Sequence, residues 1–267
     1  MSLMPNPTPK DVCTLPDQPL LATIVIVNYN YERFVGAAIE SALEQTYAPL
    51  EVIVVDDGST DGSRKVIEKY ENKPIRVIYQ KNAGQGAVYN TGWQAARGAF
   101  VLFLDSDDVL EPDAMQKVVD AFLHSDAVKV QFYLQQVDRD LKPLGYLLPS
   151  YPFPSMGPRE QITAYGYYVS PPASGNAYRK SFLDEIMPIA DVELYRQATD
   201  GYTTGLAGMA GKIASIGEVL GLYRVHGNNY GGEAGVKSVR QLHHMFMRDI
   251  KREQSQHAFD EIGRAHV

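Results

Sequence analysis

The chain has 267 residues, 45% of them apolar and 21% charged, the balance of a folded globular protein and not of a disordered or fibrous one. Twenty-five Lys and Arg against 32 Asp and Glu leave a net charge of -7, so bulk electrostatics gives no attraction for nucleic acid and no nucleic-acid partner is expected. The single cysteine, Cys13, permits neither an internal disulfide nor a cysteine-built metal site, and a reducing, cytoplasmic setting fits it.

The first 20 residues carry five prolines and no apolar core, so they read as a flexible arm and not as a signal peptide. No apolar run approaches the roughly 20 residues that span a bilayer. From residue 22 a regular alternation begins. Residues 22–27 form a short β-branched run, too short for a buried helix, and read as an interior strand. A helix follows at 33–45, then a strand at 50–55, a helix at 61–70, a strand at 75–79, a helix at 86–96 and a strand at 99–104. A helix at 112–123 carries Pro112 in its first turn, where the missing N–H costs little. Units of about 25 residues that alternate strand and helix predict a mostly parallel sheet flanked by helices.

After a strand at 128–134 the alternation fails. Residues 146–172 are rich in Pro, Tyr, Gly and Ser and read as loop around a short helix near 159–165. A helix near 178–187, another at 200–211, and short strands at 213–216 and 219–223 follow. The stretch 236–262 is charged and amphipathic, with Val239, Leu242, Phe246 and Ile250 on one stripe. Its ordinary reading is packing on the body of the domain, with a peripheral membrane contact or a homodimer contact as alternatives. The expected organisation is an arm at 1–20, an α/β half at 21–135, a second half of the same domain at 136–235, and a C-terminal amphipathic helix at 236–267.

Polar residues follow each strand: Asn28-Tyr29-Asn30, then Asp56-Asp57-Gly58-Ser59-Thr60-Asp61-Gly62, then Asn82-Ala83-Gly84-Gln85-Gly86, then Asp105-Ser106-Asp107-Asp108. In a parallel sheet the carboxyl ends of the strands share one edge, and ligands bind in the crevice there. A cleft with this many carboxylates repels an anionic ligand unless a cation neutralises it. The pattern therefore implies a hard divalent ion with oxygen ligands, bridging to a group such as a diphosphate. Asp105-Ser106-Asp107 is the sharpest piece, because alternate carboxylates on a turn can serve a metal and a ribose hydroxyl. Asp56 or Asp57 can accept from a nucleobase N–H. Asp57, Ser59, Asp61, Gly62 and Glu68 match most of a calcium-loop pattern, but a strand precedes the loop and no second copy exists, so that reading is rejected. Gly84-Gln85-Gly86 lacks the third glycine of a dinucleotide fingerprint, with Tyr89 in its place, and is rejected as one.

Taken together, Ile24-Val25-Ile26-Val27-Asn28-Tyr29-Asn30, Val54-Val55-Asp56-Asp57-Gly58-Ser59-Thr60-Asp61-Gly62, Asn82-Ala83-Gly84, Ala96-Arg97-Gly98 and Leu104-Asp105-Ser106-Asp107-Asp108 resemble the family 2 glycosyltransferases of the GT-A fold. The match runs from about residue 22 to 123, with weaker segments at Ser174-Gly175-Asn176, Ala198-Thr199-Asp200 and Tyr223-Arg224-Val225-His226-Gly227-Asn228. The resemblance implies an inverting transfer from a nucleotide-diphosphate sugar, by family habit a UDP-sugar, to a glycan or lipid-linked sugar acceptor. Val27 and Tyr29 then frame the base, Asp56 or Asp57 reads its edge, Asn82 and Gly84 line the nucleotide site, and Asp105 touches the ribose. Asp107, with Asp105 and His226, is implied to hold Mg²⁺ or Mn²⁺. Asn176 and Arg224 fall on the acceptor or diphosphate side. Asp200 sits where the family places its catalytic base, although Thr199 precedes it in place of the family's Glu. The Gln-x-x-Arg-Trp segment and membrane helices of processive synthases are absent from the sequence, which favours transfer of one sugar at a time in the cytoplasm or at the inner face of the membrane. Two other readings compete: a non-catalytic nucleotide-sugar or glycan-binding module, and a nucleotidyltransferase. The latter normally carries a Gly-rich basic loop after its first strand, and residues 28–32 offer none.

Overall fold

The computed structural model describes residues 18–227. The expected C-terminal helix, with its membrane or dimer contact, and all but the last three residues of the arm lie outside them. Strands β1 (Ala22–Asn28), β2 (Leu50–Asp56), β3 (Ile75–Tyr79) and β4 (Phe100–Asp105) alternate with helices α1 (Val35–Leu43), α2 (Ser63–Glu68) and α3 (Gln85–Ala95). The chain continues through β5 (Val109–Leu110), α4 (Ala114–Leu123), β6 (Lys129–Val137), β7 (Pro143–Leu148), α5 (Pro158–Tyr165), a 3₁₀ turn (Ala173–Gly175), β8 (Asn176–Arg179), α6 (Lys180–Ile186), α7 (Asp200–Ala210) and β9 (Ile213–Arg224).

The strands form one sheet in the order β3-β2-β1-β4-β8-β6-β9-β5, with β7 paired to β6. The first four are mutually parallel; β8 then runs antiparallel to β4 and β6, while β9 is parallel to β6. Period-2 alternation sends the two faces of the parallel half to separate cores. Ile24, Ile26, Val52, Val54, Leu102 and Leu104 pack beneath α1 and α4. Val25, Ile53, Val55, Val101 and Phe103 pack beneath α3, α6 and α7. Because both faces are covered, these strands read as continuous apolar runs and not as alternating ones.

Three expectations are corrected. The helix expected from 178 starts at Lys180, since residues 176–179 form β8, wedged between β4 and β6 with Tyr178 buried against Phe103. The two strands expected at 213–216 and 219–223 are one strand, β9, whose register on β6 slips at Gly217 and Glu218. Residues 146–148, the start of the stretch expected as loop, belong to β7, a largely exposed strand paired with β6.

The parallel register sets the site. Asn28 lies beside Asp56, and Val27 lies beside Asp105, so the ends of β1, β2 and β4 form one rim.

Candidate active site

The rim divides into two parts with different chemistry. At the β2 end, carboxylates are satisfied by hydrogen-bond donors. Asp56 accepts from Asn28 Nδ2 (2.7 Å), Ser59 Oγ (2.6 Å) and Ser59 N (3.1 Å). Asp57 accepts from Gln80 Nε2 (2.7 Å), Ala83 N (2.9 Å) and Gly84 N (2.8 Å). Asn82 donates to Asp57 O (3.1 Å) and accepts from Arg196 Nη2 (2.8 Å). These two aspartates therefore need no cation, which corrects the expectation that the whole acidic rim requires one. Each keeps room on Oδ2 for one further donor, since a carboxylate offers about four lone-pair sites. Val27 is half-buried at the end of β1, and Tyr29 is 45% exposed beside it.

Gly84 has φ +88°, and a Cβ there would lie 2.8 Å from Arg196 Cα. The chain at 195–196 closes directly on this turn. Gln85 N donates to Arg196 O (3.0 Å) and Gly86 N to Tyr195 O (2.8 Å). The first amides of α3 are thus occupied by main chain, which agrees with the rejection of a phosphate-binding glycine loop here.

The β4 end is different. Asp105, Asp107 and Asp108 crowd one turn, with Asp200 from α7 facing them. Burial, then the charges of Asp107 and Asp200, push the Asp105 carboxyl well above the ordinary range, with Gln85 opposing. Burial and the charges of Asp107 and Asp105 do the same to Asp108. Asp108 accepts from Ser174 Oγ (2.6 Å) and Arg224 N (3.0 Å). Asp107 Oδ2 meets His226 Nε2 at 2.9 Å. The His226 ring is stacked on Phe34 (centroids 4.8 Å apart) and edge-on to Tyr31 (5.6 Å). Tyr31 is itself pushed up by burial and by Asp107, Asp105 and Asp108, so its phenol faces the same acidic turn as a proton donor.

Arg224 braces the turn from behind. Its guanidinium donates to Asp107 O (2.8 Å) and Arg139 O (2.5 Å) and lies over Phe34 (4.8 Å). Asn176, like Arg224, is expected on the acceptor or diphosphate side and is instead held by the protein's own groups. It is fully buried, and its amide donates to Pro171 O (3.1 Å) and Pro172 O (2.7 Å) while accepting from Ser170 Oγ (3.2 Å). Its place on the acceptor or diphosphate side is therefore corrected: it shapes the turn that carries Ser174.

Asp200 begins α7. Burial raises its carboxyl, while the N–H groups of Gly201 and Ala173 and the charge of Lys129 pull the other way. Gln85 ties it to the rim: Gln85 Nε2 reaches Asp105 Oδ1 (3.4 Å), and Thr199 N donates to Gln85 Oε1 (2.9 Å). Gln85, Ser174, Tyr31 and Lys129 were not legible as site residues. Lys129 alone left a signal, as the one charge in an apolar strand.

Among the described residues no group of three or more His, Cys, Asp or Glu side chains is placed to hold a metal ion, so any cation here rests on fewer protein ligands. The corner holds an imidazole touching one carboxylate, with a second, repelled carboxylate nearby. That open, oxygen-rich donor set suits a hard divalent cation that completes its shell from ligand oxygens and water.

Residues 23–187 match the family model described as glycosyl transferase family 2. The uncharacterized glycosyltransferase alr2836 of Nostoc sp. (strain PCC 7120) is 38% identical over 224 residues, covering 82% of this chain and 69% of that protein. Among solved structures, S. aureus TarS 1–349 in complex with UDP-GlcNAc aligns with a TM-score of 0.61 at 21% identity, over 80% of this chain and 61% of that one. The mannosyltransferase PcManGT from Pyrobaculum calidifontis, in complex with GDP-Man and Mn²⁺, aligns with a TM-score of 0.56 at 16% identity, over 80% of this chain and 59% of that one. The chain thus spans about three fifths of each solved chain, and at these identities the likeness bears on the fold, which is GT-A. With the matched residues spanning the rim from Asn28 to Asp108, the chain belongs to glycosyl transferase family 2 and is a glycosyltransferase.

Proposed function

We propose that this glycosyltransferase moves one sugar from a nucleotide-diphosphate donor, a UDP-sugar, to a hydroxyl of a glycan or lipid-linked acceptor, with inversion and without processivity. The observation that carries the reading is that Asp105, at the end of β4 and beside Asp107, is joined through Gln85 (3.4 Å) to Thr199 N (2.9 Å), the residue before Asp200 at the start of α7. Val27, Tyr29 and the remaining acceptor site on Asp56 or Asp57 serve the nucleoside, beside Asn82 and Gly84. Asp105 serves the ribose. Asp107 and His226, with Asp105 beside them, would hold Mg²⁺ or Mn²⁺, and such an ion supplies charge neutralisation for the departing diphosphate. The Tyr31 phenol, held protonated by its acidic neighbours, can donate to the same oxygens. The two solved neighbours bound to UDP-GlcNAc and to GDP-Man with Mn²⁺ support a nucleotide-sugar donor and a divalent ion.

An acceptor hydroxyl is a poor nucleophile at neutral pH, and a carboxylate within reach removes its proton as it attacks. Burial raises Asp200 toward the working pH, which makes it a stronger base. One base acting from the face opposite the leaving group gives a single displacement and inversion. Gln85 joins donor side and base side, so donor binding at Asp105 bears on the segment that presents Asp200.

Among the described residues no helix is long and apolar enough to cross a membrane. The test is a thermal-shift screen of UDP- and GDP-sugars with MnCl₂, followed by an assay of nucleotide release. A specific UDP-sugar should raise the melting point by mass action, about 2.7 kcal/mol at a hundred times its Kd. Stabilisation without any release of UDP, with acceptor or with water, would favour a binding module instead.

A further inference from the structure

Lys129 opens β6 and is fully buried. Its Nζ donates to Gln131 Oε1 (3.0 Å), Tyr168 OH (2.9 Å) and Ser170 Oγ (2.8 Å). All three partners are committed as acceptors. Tyr168 OH gives its proton to Thr204 O (2.8 Å). Ser170 Oγ gives its proton to Pro171 O or Asn176 Oδ1, both at 3.2 Å. Gln131 presents its carbonyl oxygen, since its amide nitrogen donates to Ser215 Oγ (2.9 Å). Three acceptors need three N–H protons, and only the ammonium form carries three. Burial acts against that charge and pushes Lys129 well below the ordinary lysine range, while the Asp200 carboxylate pulls it back.

Both branches from Nζ lead to segments that contact Asp200, the first at its main-chain carbonyl and the second at its carboxylate. Through Tyr168 the first reaches Thr204 in the opening turn of α7, and Thr204 Oγ1 bonds Asp200 O (2.5 Å). Tyr168 lies flush on α7, for a Cβ at Gly208 would come within 2.7 Å of its ring. Through Ser170 and Asn176 the second reaches the turn at 171–173, whose Ala173 N–H faces the Asp200 carboxylate.

We infer that Lys129 is a positioning residue for Asp200: its buried ammonium ties the start of α7 and the 170–176 turn together on either side of that residue. The inference rests on the reading of Asp200 as the base. The other titratable groups facing Asp200 are Asp105 from β4, Tyr89 from α3 and Tyr178 from β8. Asp105 repels the ionised form, and the two phenols stay neutral, so Lys129 supplies the favourable charge among these groups.

Lys129→Met keeps the apolar stem and removes the charge. The assay is UDP release from UDP-GlcNAc with MnCl₂ across pH, beside calorimetric binding of UDP and a thermal melt. The acid limb of kcat/KM should move up by about one pH unit or more, as expected for losing a nearby opposite charge. On the acid limb, below the titration of the base, the rate at a fixed pH should fall about tenfold for each unit the limb moves, because a factor of ten in ionised base accompanies each pH unit. UDP affinity should stay within about twofold of the parent. Lys129→Gln, which restores part of the hydrogen bonding without charge, should show the same moved limb, and it carries the test if Lys129→Met does not fold. An unmoved limb in a folded variant, with Asp200→Asn inactive in parallel, overturns the role of Lys129 alone. Equal loss of UDP affinity and rate overturns it in favour of a merely structural lysine. Full activity in Asp200→Asn instead removes the base, and this inference with it.

Discussion

His226 and Asp107 are 119 positions apart in sequence, yet Nε2 of one meets Oδ2 of the other at 2.9 Å, with both residues nearly buried. Phe34 and Tyr31 fix the imidazole plane, and Arg224 fixes the Asp107 main chain. Two atoms able to bind a hard cation are thus brought together before any ligand arrives. Asp107→Ala should abolish Mn²⁺-dependent UDP binding measured by calorimetry. His226→Gln, which removes one nitrogen from a prearranged pair, should weaken it on the order of 10–100-fold. Unchanged Mn²⁺ dependence in both variants would place the cation elsewhere.

Asp200, the proposed base, offers a test that separates binding from chemistry. It lies at the start of α7, linked to the rim through Thr199 N and Gln85 and through the Ala173 N–H of the turn that carries Ser174. Asp200→Asn preserves shape and removes the basic oxygen, so UDP affinity should persist while sugar transfer falls on the order of 10²–10⁴-fold, the usual worth of a general base. In the parent enzyme the rate should decline as pH falls through the raised Asp200 value, above the ordinary aspartate range. A pH-independent rate across the acid range would remove Asp200 from that role.

The parallel half of the fold was legible because β-branched runs and short polar loops alternate with little interruption from residue 22 to 123, and the strand-end rule then gathers Asn28, Asp56 and Asp105. The later half was not. β7 has no apolar alternation to announce it, and β8 continues without a break into α6, so the last residues of β8 join the helix expected near 178–187. A sequence displays the charge of Asp57 but not the donors that satisfy it, so the expectation of a cation across the whole rim overreaches there; Gln80, Ala83 and Gly84 come from another loop. Asn176 failed for the same reason, its partners being main-chain carbonyls that no residue type reveals.

Asp57 and Gly84 make a separable structural test. Asp57→Ala strips three donors of their acceptor in a nearly buried turn, and each orphaned group costs about 1–3 kcal/mol. At about 2–4 °C per kcal/mol for a chain of this size, the melting point should fall by at least several degrees. Gly84→Ala should be comparably harmful, because it combines φ +88° with a collision against the Arg196 backbone. In both variants loss of UDP binding should accompany loss of stability. An Asp57→Ala protein that melts like the parent but has lost UDP binding would instead make Asp57 a direct nucleobase contact.

The acidic turn also sets how stability varies with pH. Burial and neighbouring carboxylates raise Asp105 and Asp108 well above the ordinary aspartate range, and burial raises Asp200. The folded, metal-free chain therefore holds these protons more tightly than the unfolded chain does. Their contribution to stability is fully present below the unfolded value of about 3.9 and is lost as pH rises through the raised folded values. As pH rises through those values the metal-free rim gains repulsion, which the proposed dication would relieve. The melting-point gain from millimolar MnCl₂ over EDTA should therefore grow as pH rises from about 5 to about 8. Asp107→Ala should reduce that gain at every pH, since it removes both a ligand and a repelling charge. A Mn²⁺ increment that is constant over this range, or equal in Asp107→Ala, would separate the cation from the Asp105–Asp108 turn.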